Sequence, residues 1–136
     1  MVVLSSSTKI AVSGMKVQSQ RLRVISENLA NADSTAQTPE GQPYRRKLVT
    51  FKTELDRATG LAQVKVDKVR NDSSDFQRRY DPKHPAADRE GYVLAPNVNP
   101  LIELMDMREA QRSYEANMNV INTSRTMLSR TVDMLR

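Results

Sequence analysis

Both ends of this chain carry a heptad pattern, and the stretch between them cannot continue it. Near the N-terminus, Ala11, Met15, Gln18, Leu22, Ile25, Leu29 and Ala32 are separated by alternating steps of four and three. That spacing is the seam of a helix packed along a second helix. Toward the other end, Leu104, Met107, Gln111, Tyr114, Met118, Ile121, Arg125, Leu128, Val132 and Leu135 repeat the pattern. Residues 5–32 therefore read as one long helix, with Ser5, Ser6 and Ser7 as candidate N-caps. Residues 100–136 read as a second, opened by Asn99-Pro100, an Asn cap followed by proline in the first helical position. At the rise of an α-helix these segments are roughly 40 and roughly 50 Å long.

The middle differs in kind. Pro39, Pro43, Pro82, Pro85 and Pro96 lie between 34 and 99, as do Gly41, Gly60 and Gly91. Three short β-prone runs are visible: 48–52, 63–69 with one break in its alternation at Asp67-Lys68, and 91–94. Glu40-Gly41 and Thr59-Gly60 are turn signals, and 81–85 reads as an irregular loop. The expected fold is mainly α with a small β insert, the terminal helices forming a coiled-coil-like hairpin. The expected division is 1–33, 34–99 and 100–136.

Two helices alone bury one seam. Flanking stripes, Ile10, Gly14, Val17 and Val24 in the first helix and Val120, Met127 and Met134 in the second, are then expected in water, with Gly14 permitting close approach of a neighbour. An exposed apolar surface of that extent marks an interaction site. Composition agrees: with no Trp and two Phe, the chain lacks the aromatic bulk that dominates self-contained cores. Five of its seven Met stand at or beyond Met105, where an adaptable side chain suits an interface.

Several functions are excluded or disfavoured. There is no Cys, which removes disulfides, thiolate metal sites and a cysteine nucleophile, and the single His84 removes multi-histidine sites. No run approaches the apolar length of a membrane span. The net charge of +5 is spread along the chain, without the dense basic stripe or interleaved aromatics of a nucleic-acid surface. Asp33, Asp81, Asp88 and Glu90 read as solvated loop acids. Arg45-Arg46-Lys47 reads as a solvated strand edge. Gln18, Gln111 and Arg125 either reach solvent from the seams or set register between chains. No phosphate-binding loop or nucleophile elbow is present. The expectation is a protein that is no enzyme, with no cofactor, metal or small-molecule substrate. The N-terminal residues show no cleavable secretory signal.

Asn28-Leu29-Ala30-Asn31-Ala32-Asp33-Ser34 resembles the signature closing the first helix of bacterial flagellar rod, hook and related axial proteins. Residues 41–47 (Gly-Gln-Pro-Tyr-Arg-Arg-Lys), Gly91-Tyr92-Val93 with Pro96-Asn97-Val98, and Arg112 to Asn117 with Asn122-Thr123 are similar to later segments of that family, in the same order. The length is similar to that of its short rod members; hook and distal-rod members are longer.

The resemblance implies a structural subunit of the proximal rod, the drive shaft of the flagellar basal body. It implies export without a cleaved signal through the flagellar type III apparatus, and a place in the periplasmic space. Its terminal helices would build the axial core, with the middle segment outside. Implied partners are further copies, other rod proteins and the membrane-ring adaptor. The expected interface residues are Met15, Leu22, Ile25, Asn28, Leu29 and Asn31 in the first helix, with Asn28 and Asn31 shaping its exit turn. In the second they are Tyr114, Asn117, Met118, Ile121, Leu128, Val132 and Leu135. The competing reading is a cytoplasmic secretion chaperone or adaptor with amphipathic helices.

Overall fold

The computed structural model describes residues 2–136. Helix α1 spans Val2–Ala30 and helix α2 spans Pro100–Met134. Between them lie strands β1 (Lys47–Asp56), β2 (Leu61–Asn71), β3 (Gln77–Tyr80) and β4 (Tyr92–Ala95). β1 pairs with β2 and β3 with β4, each pair a separate two-stranded sheet. The mainly α fold with a small β insert is what the sequence pattern predicts. The β3 strand was not expected; its four residues are all exposed and carry no alternation. Helix α1 also begins earlier than its serines suggest. Ser6, Ser7 and Thr8 are inside it, donating to the carbonyls of Val2, Val3 and Leu4 at 2.8–3.0 Å, the back-bond open to hydroxyls within a helix.

The chain forms two compact units. The first takes in α1 through Leu22, residues 49–68 of the β1–β2 ribbon and α2 from Arg108. Here the helices run antiparallel at close range: a β-carbon built on Gly14 would lie 2.8 Å from Asn117 Nδ2, and Arg21 meets Glu109 at 3.4 Å. Asn117 cannot yield freely, because Nδ2 donates to the Ser113 carbonyl at 3.0 Å. Gly14→Val should therefore cost about 2 kcal/mol through overpacking, read as a lower urea midpoint; an unchanged midpoint would show that the helices can separate at no cost. The ribbon turns at Gly60, whose φ of 70 suits a residue without a β-carbon. Its N–H closes the turn on the Asp56 carbonyl at 2.7 Å. Asp56 accepts the Ala58 N–H, and that bond holds its carboxyl below the usual range.

The second unit comprises Arg23–Leu48 and Val69–Met107. The antiparallel β3–β4 pair sets Arg79 opposite Val93 and Tyr80 opposite Tyr92. Val93 and Ala95 point inward and are almost fully buried, while Tyr92 and Leu94 point outward. The two tyrosines meet edge to face with centroids 5.3 Å apart, a favoured aromatic geometry. Helix α2 starts as the sequence indicates. Asn99 Oδ1 accepts the Leu101 N–H at 3.1 Å, and the Asn99 carbonyl accepts the first intrahelical bond, from Glu103, at 3.0 Å.

Candidate subunit interface

The inward stripe of α2 is one residue earlier than the strongest apolar positions suggest. Ala110 has 0% exposure and Glu103 1%. Ser124 is buried, and Asn117 and Thr131 are half-buried. Leu104, Met118 and Val132, predicted as seam residues, are on the surface, as are Gln111 and Arg125. Met107, Tyr114 and Ile121 serve both stripes and are half-buried. Helix α1 shows the complementary shift. Ala11, Val17, Val24, Ile25 and Asn28 are buried, whereas Met15, Leu22 and Leu29 are half-buried. The expectation that Val17 and Val24 lie in water is thus overturned, although Ile10, Val120, Met127 and Met134 do lie on the surface. The physical reason is distance of approach. Small residues at 11, 14, 110 and 124 let backbones come close, Gly14 leaves room for the Asn117 side chain, and the bulkier side chains are turned out.

Exposed apolar side chains remain along both helices. In the first unit they include Val2, Val3 and Ile10 on α1, Met118, Val120, Met127, Leu128, Val132 and Met134 on α2, and Leu135 just past its end. In the second unit Leu101, Ile102, Leu104 and Met105 form a patch at the start of α2. Leu135 is 83% exposed and Val132 42%. Apolar surface on this scale is unusual for a chain that works alone. No described helix is long and apolar enough to cross a membrane.

What holds the second unit together is polar. Asn28 is 1% exposed and uses its whole amide. Oδ1 accepts the Tyr44 hydroxyl at 2.8 Å and the Lys47 N–H at 2.9 Å. Nδ2 donates to the Lys47 carbonyl at 2.9 Å and to Glu103 at 3.3 Å. This bolts the end of α1 to the chain entering β1 and to the first turn of α2. Burial, above all, raises the Tyr44 hydroxyl above its ordinary pKa, which keeps it a donor.

Arg46 completes the network. Its guanidinium pairs with Glu103, with Asp72 at 3.3 Å and with Asp106 at 3.5 Å. Its backbone N–H donates to Asn97 Oδ1 at 2.7 Å. Burial pulls the guanidinium down, but the hydrogen bond and charge of Glu103, joined by Asp72, outweigh it and hold it above its usual value. Arg46 is therefore no solvated strand edge. A basic triplet beside a β-prone run carries no sign that an acid three residues after Pro100 will be buried against it.

Neighbouring side chains extend the brace. Arg45 donates to the Asp72 and Ser74 carbonyls at 2.9 and 3.0 Å and lies 4.1 Å over the Phe76 ring. The Ser74 N–H, then the Ser74 hydroxyl and Arg46, hold the Asp72 carboxyl below the usual range. A depressed folded-state pKa contributes stability above the unfolded value, about 4, and loses it as pH falls through the folded value. The urea midpoint should thus fall below pH 4, and Asp72→Asn should flatten that fall. Equal pH slopes for both proteins would remove Asp72 from the account.

Asn31 shapes the exit from α1: its amide donates to the Glu27 carbonyl at 2.9 Å, and Oδ1 accepts the Ser34 hydroxyl at 3.1 Å. His84 is a local tie. Nδ1 accepts the Ala86 N–H at 3.0 Å, which leaves Nε2 to donate to Thr35 Oγ1 at 3.0 Å. Asp33 pairs with Arg79, and Asp88 caps its own turn by accepting the N–H groups of Glu90 and Tyr92. Among the described residues no group of acids and histidine is placed to hold a metal ion. Of the expected interface residues, Ile25 and Asn28 are interior. Met15, Leu22, Leu29, Asn31, Tyr114, Asn117 and Ile121 are half-buried, and Met118, Leu128, Val132 and Leu135 are exposed.

The same segments are those matched by family models. Residues 9–36 match the flagella basal body rod protein family, and residues 89–134 match the C-terminal region of the flagellar basal body rod FlgEFG proteins. The flagellar basal-body rod protein FlgC of Agrobacterium fabrum is 56% identical over 133 residues, spanning 98% of this chain and 96% of that protein. The chain belongs to the flagellar basal-body rod protein family. The proteins of the same name from Borreliella burgdorferi and Bacillus subtilis are 38% and 37% identical, each spanning at least 94% of both chains. This rod-family chain is a structural subunit of the basal-body rod, and it works by assembling with copies of itself and other rod components.

Proposed function

We propose that the chain builds the proximal rod through its two terminal helices, which pack side by side with those of neighbouring subunits. The observation that carries this reading is the double row of exposed apolar side chains on α1 and α2. A lone subunit would leave that surface wet. Residues 1–33 and 100–136 form the axial core and 34–99 the outer part. Such head-to-tail contacts, repeated around a helical lattice, give an open tube and never close on themselves. The direct contacts run through Met118, Leu128, Val132 and Leu135, with Met15, Leu22, Leu29, Tyr114 and Ile121 at their margins. Ile25, Asn28, Asn31 and Asn117 act from within, by fixing the helices that present those contacts.

In this reading the protein is no enzyme, and torque passes through helix contacts alone. It reaches the periplasmic space through the flagellar type III export apparatus, without a cleaved signal, and meets the membrane-ring adaptor at its base. The chain has no cysteine, so a single cysteine introduced at Met118 or Val132 reports only its own surroundings. With the partner rod subunits likewise given single cysteines, a short bis-maleimide should link this chain to a copy or a rod neighbour in isolated basal bodies. Absence of such links from both positions, with the chain present, would remove the α2 face from the interface.

A further inference from the structure

Within the first unit a cavity of about 530 Å³ runs between α1 and β2. Its α1 wall is the stripe Lys9, Val12, Lys16 and Val17, and its other wall is residues 63–66 of β2. Successive side chains of a strand point to opposite faces. The cavity touches four consecutive residues of β2 and none of β1, so it lies along the side of β2 away from its partner strand. β2 has β1 as its one partner in a two-stranded sheet, so one of its edges has no strand on it. Such an edge presents a row of N–H and C=O groups that template a further strand.

The charge of the cavity is one-sided. Lys9, Lys16 and Lys65 line it, and no acidic residue does. Lys65 is paired with Glu54 at 2.9 Å; Lys9 and Lys16 have no acid within ion-pair distance among the described residues. The two lysines stand two helical turns apart on one face, about 10 Å, close to the span of three residues of an extended strand. Val12, Val17, Val64 and Val66 supply apolar floor between them.

We propose that this groove receives an extended acidic segment of a neighbouring rod subunit. The segment adds a third strand to β2 and places carboxylates on Lys9 and Lys16. The inference rests on the rod-assembly reading above and names the chemistry of one of its contacts. The test is Lys9→Glu/Lys16→Glu in the full chain, read as the amount recovered in isolated basal bodies, with a photo-crosslinking residue at Val12 in the otherwise wild-type chain.

Both lysines are exposed, so the purified double variant should melt like wild type. Its recovery in basal bodies should fall at least tenfold, while Lys9→Arg/Lys16→Arg should stay near wild type. The Val12 crosslink should map to a rod-subunit peptide with at least two carboxylates. Normal recovery of the Glu variant, or a crosslink to a neutral or basic peptide or to lipid, would overturn the proposal. Absence of the wild-type chain from basal bodies would instead strike the assembly reading itself.

Discussion

Arg46→Ala should lower the stability of the folded chain by about 3–5 kcal/mol, the range for a buried ion pair stripped of one partner. The size follows from what is left behind. Glu103 is 1% exposed and keeps only the Asn28 amide at 3.3 Å, while Asp72 and Asp106 lose the same cation. Glu103 would then stay buried without the Arg46 guanidinium that neutralises it. Against a typical total of about 5–15 kcal/mol, such a loss leaves little margin. Urea unfolding followed by far-ultraviolet circular dichroism gives the difference directly. Arg46→Met combined with Glu103→Leu should recover much of it, because replacing both charges with apolar groups removes the desolvation cost. A single Arg46→Ala variant within 1 kcal/mol of wild type would contradict the role assigned to the network.

Met118→Asp combined with Val132→Asp should leave the purified chain folded and abolish swimming. Both residues are over 40% exposed, so a carboxylate at either site is hydrated in the free subunit. In a shared helical interface each charge would lose that hydration without a partner, at a cost of about 2 kcal/mol or more per site. Every 1.4 kcal/mol is about tenfold in an equilibrium constant, so incorporation should drop by at least a hundredfold. Soft-agar spreading of a complemented strain, with the variant at normal cellular level, measures this. Normal spreading would mean that this face of α2 makes no subunit contact. Leu29→Asp and Ile121→Asp are less diagnostic, since both residues are half-buried and would unsettle the subunit as well.

The two helices were legible because seven-residue spacing persists over many turns at each end, and proline and glycine confine the rest to the middle. The β1–β2 ribbon showed through its alternation and the turn at Gly60. β3 did not, because Gln77-Arg78-Arg79-Tyr80 is solvated on both sides and carries no pattern. The inward stripe was misplaced for a different reason. Periodicity weighs bulk, and so selects Leu104, Met118 and Val132. Packing here is decided by Gly14, Ala110 and Ser124, whose smallness lets helices approach, with the Asn117 side chain seated against Gly14. Ala110, Asn117 and Ser124, short side chains spaced by sevens beside the bulky stripe, are the available signal. The polar network was out of reach: nothing local to Arg46 indicates Glu103, 57 positions away. Asn28, by contrast, was singled out by family resemblance, and its amide is fully engaged in the structure.

The central claim is that this chain is a working part of the rod. Quantitative mass spectrometry of detergent-extracted basal bodies from the source cell tests it most directly. The account predicts peptides of this chain at a level matching the other rod subunits. Basal bodies intact but free of it, with the protein recovered in the cytosol, would contradict the account and favour the chaperone or adaptor reading in its place.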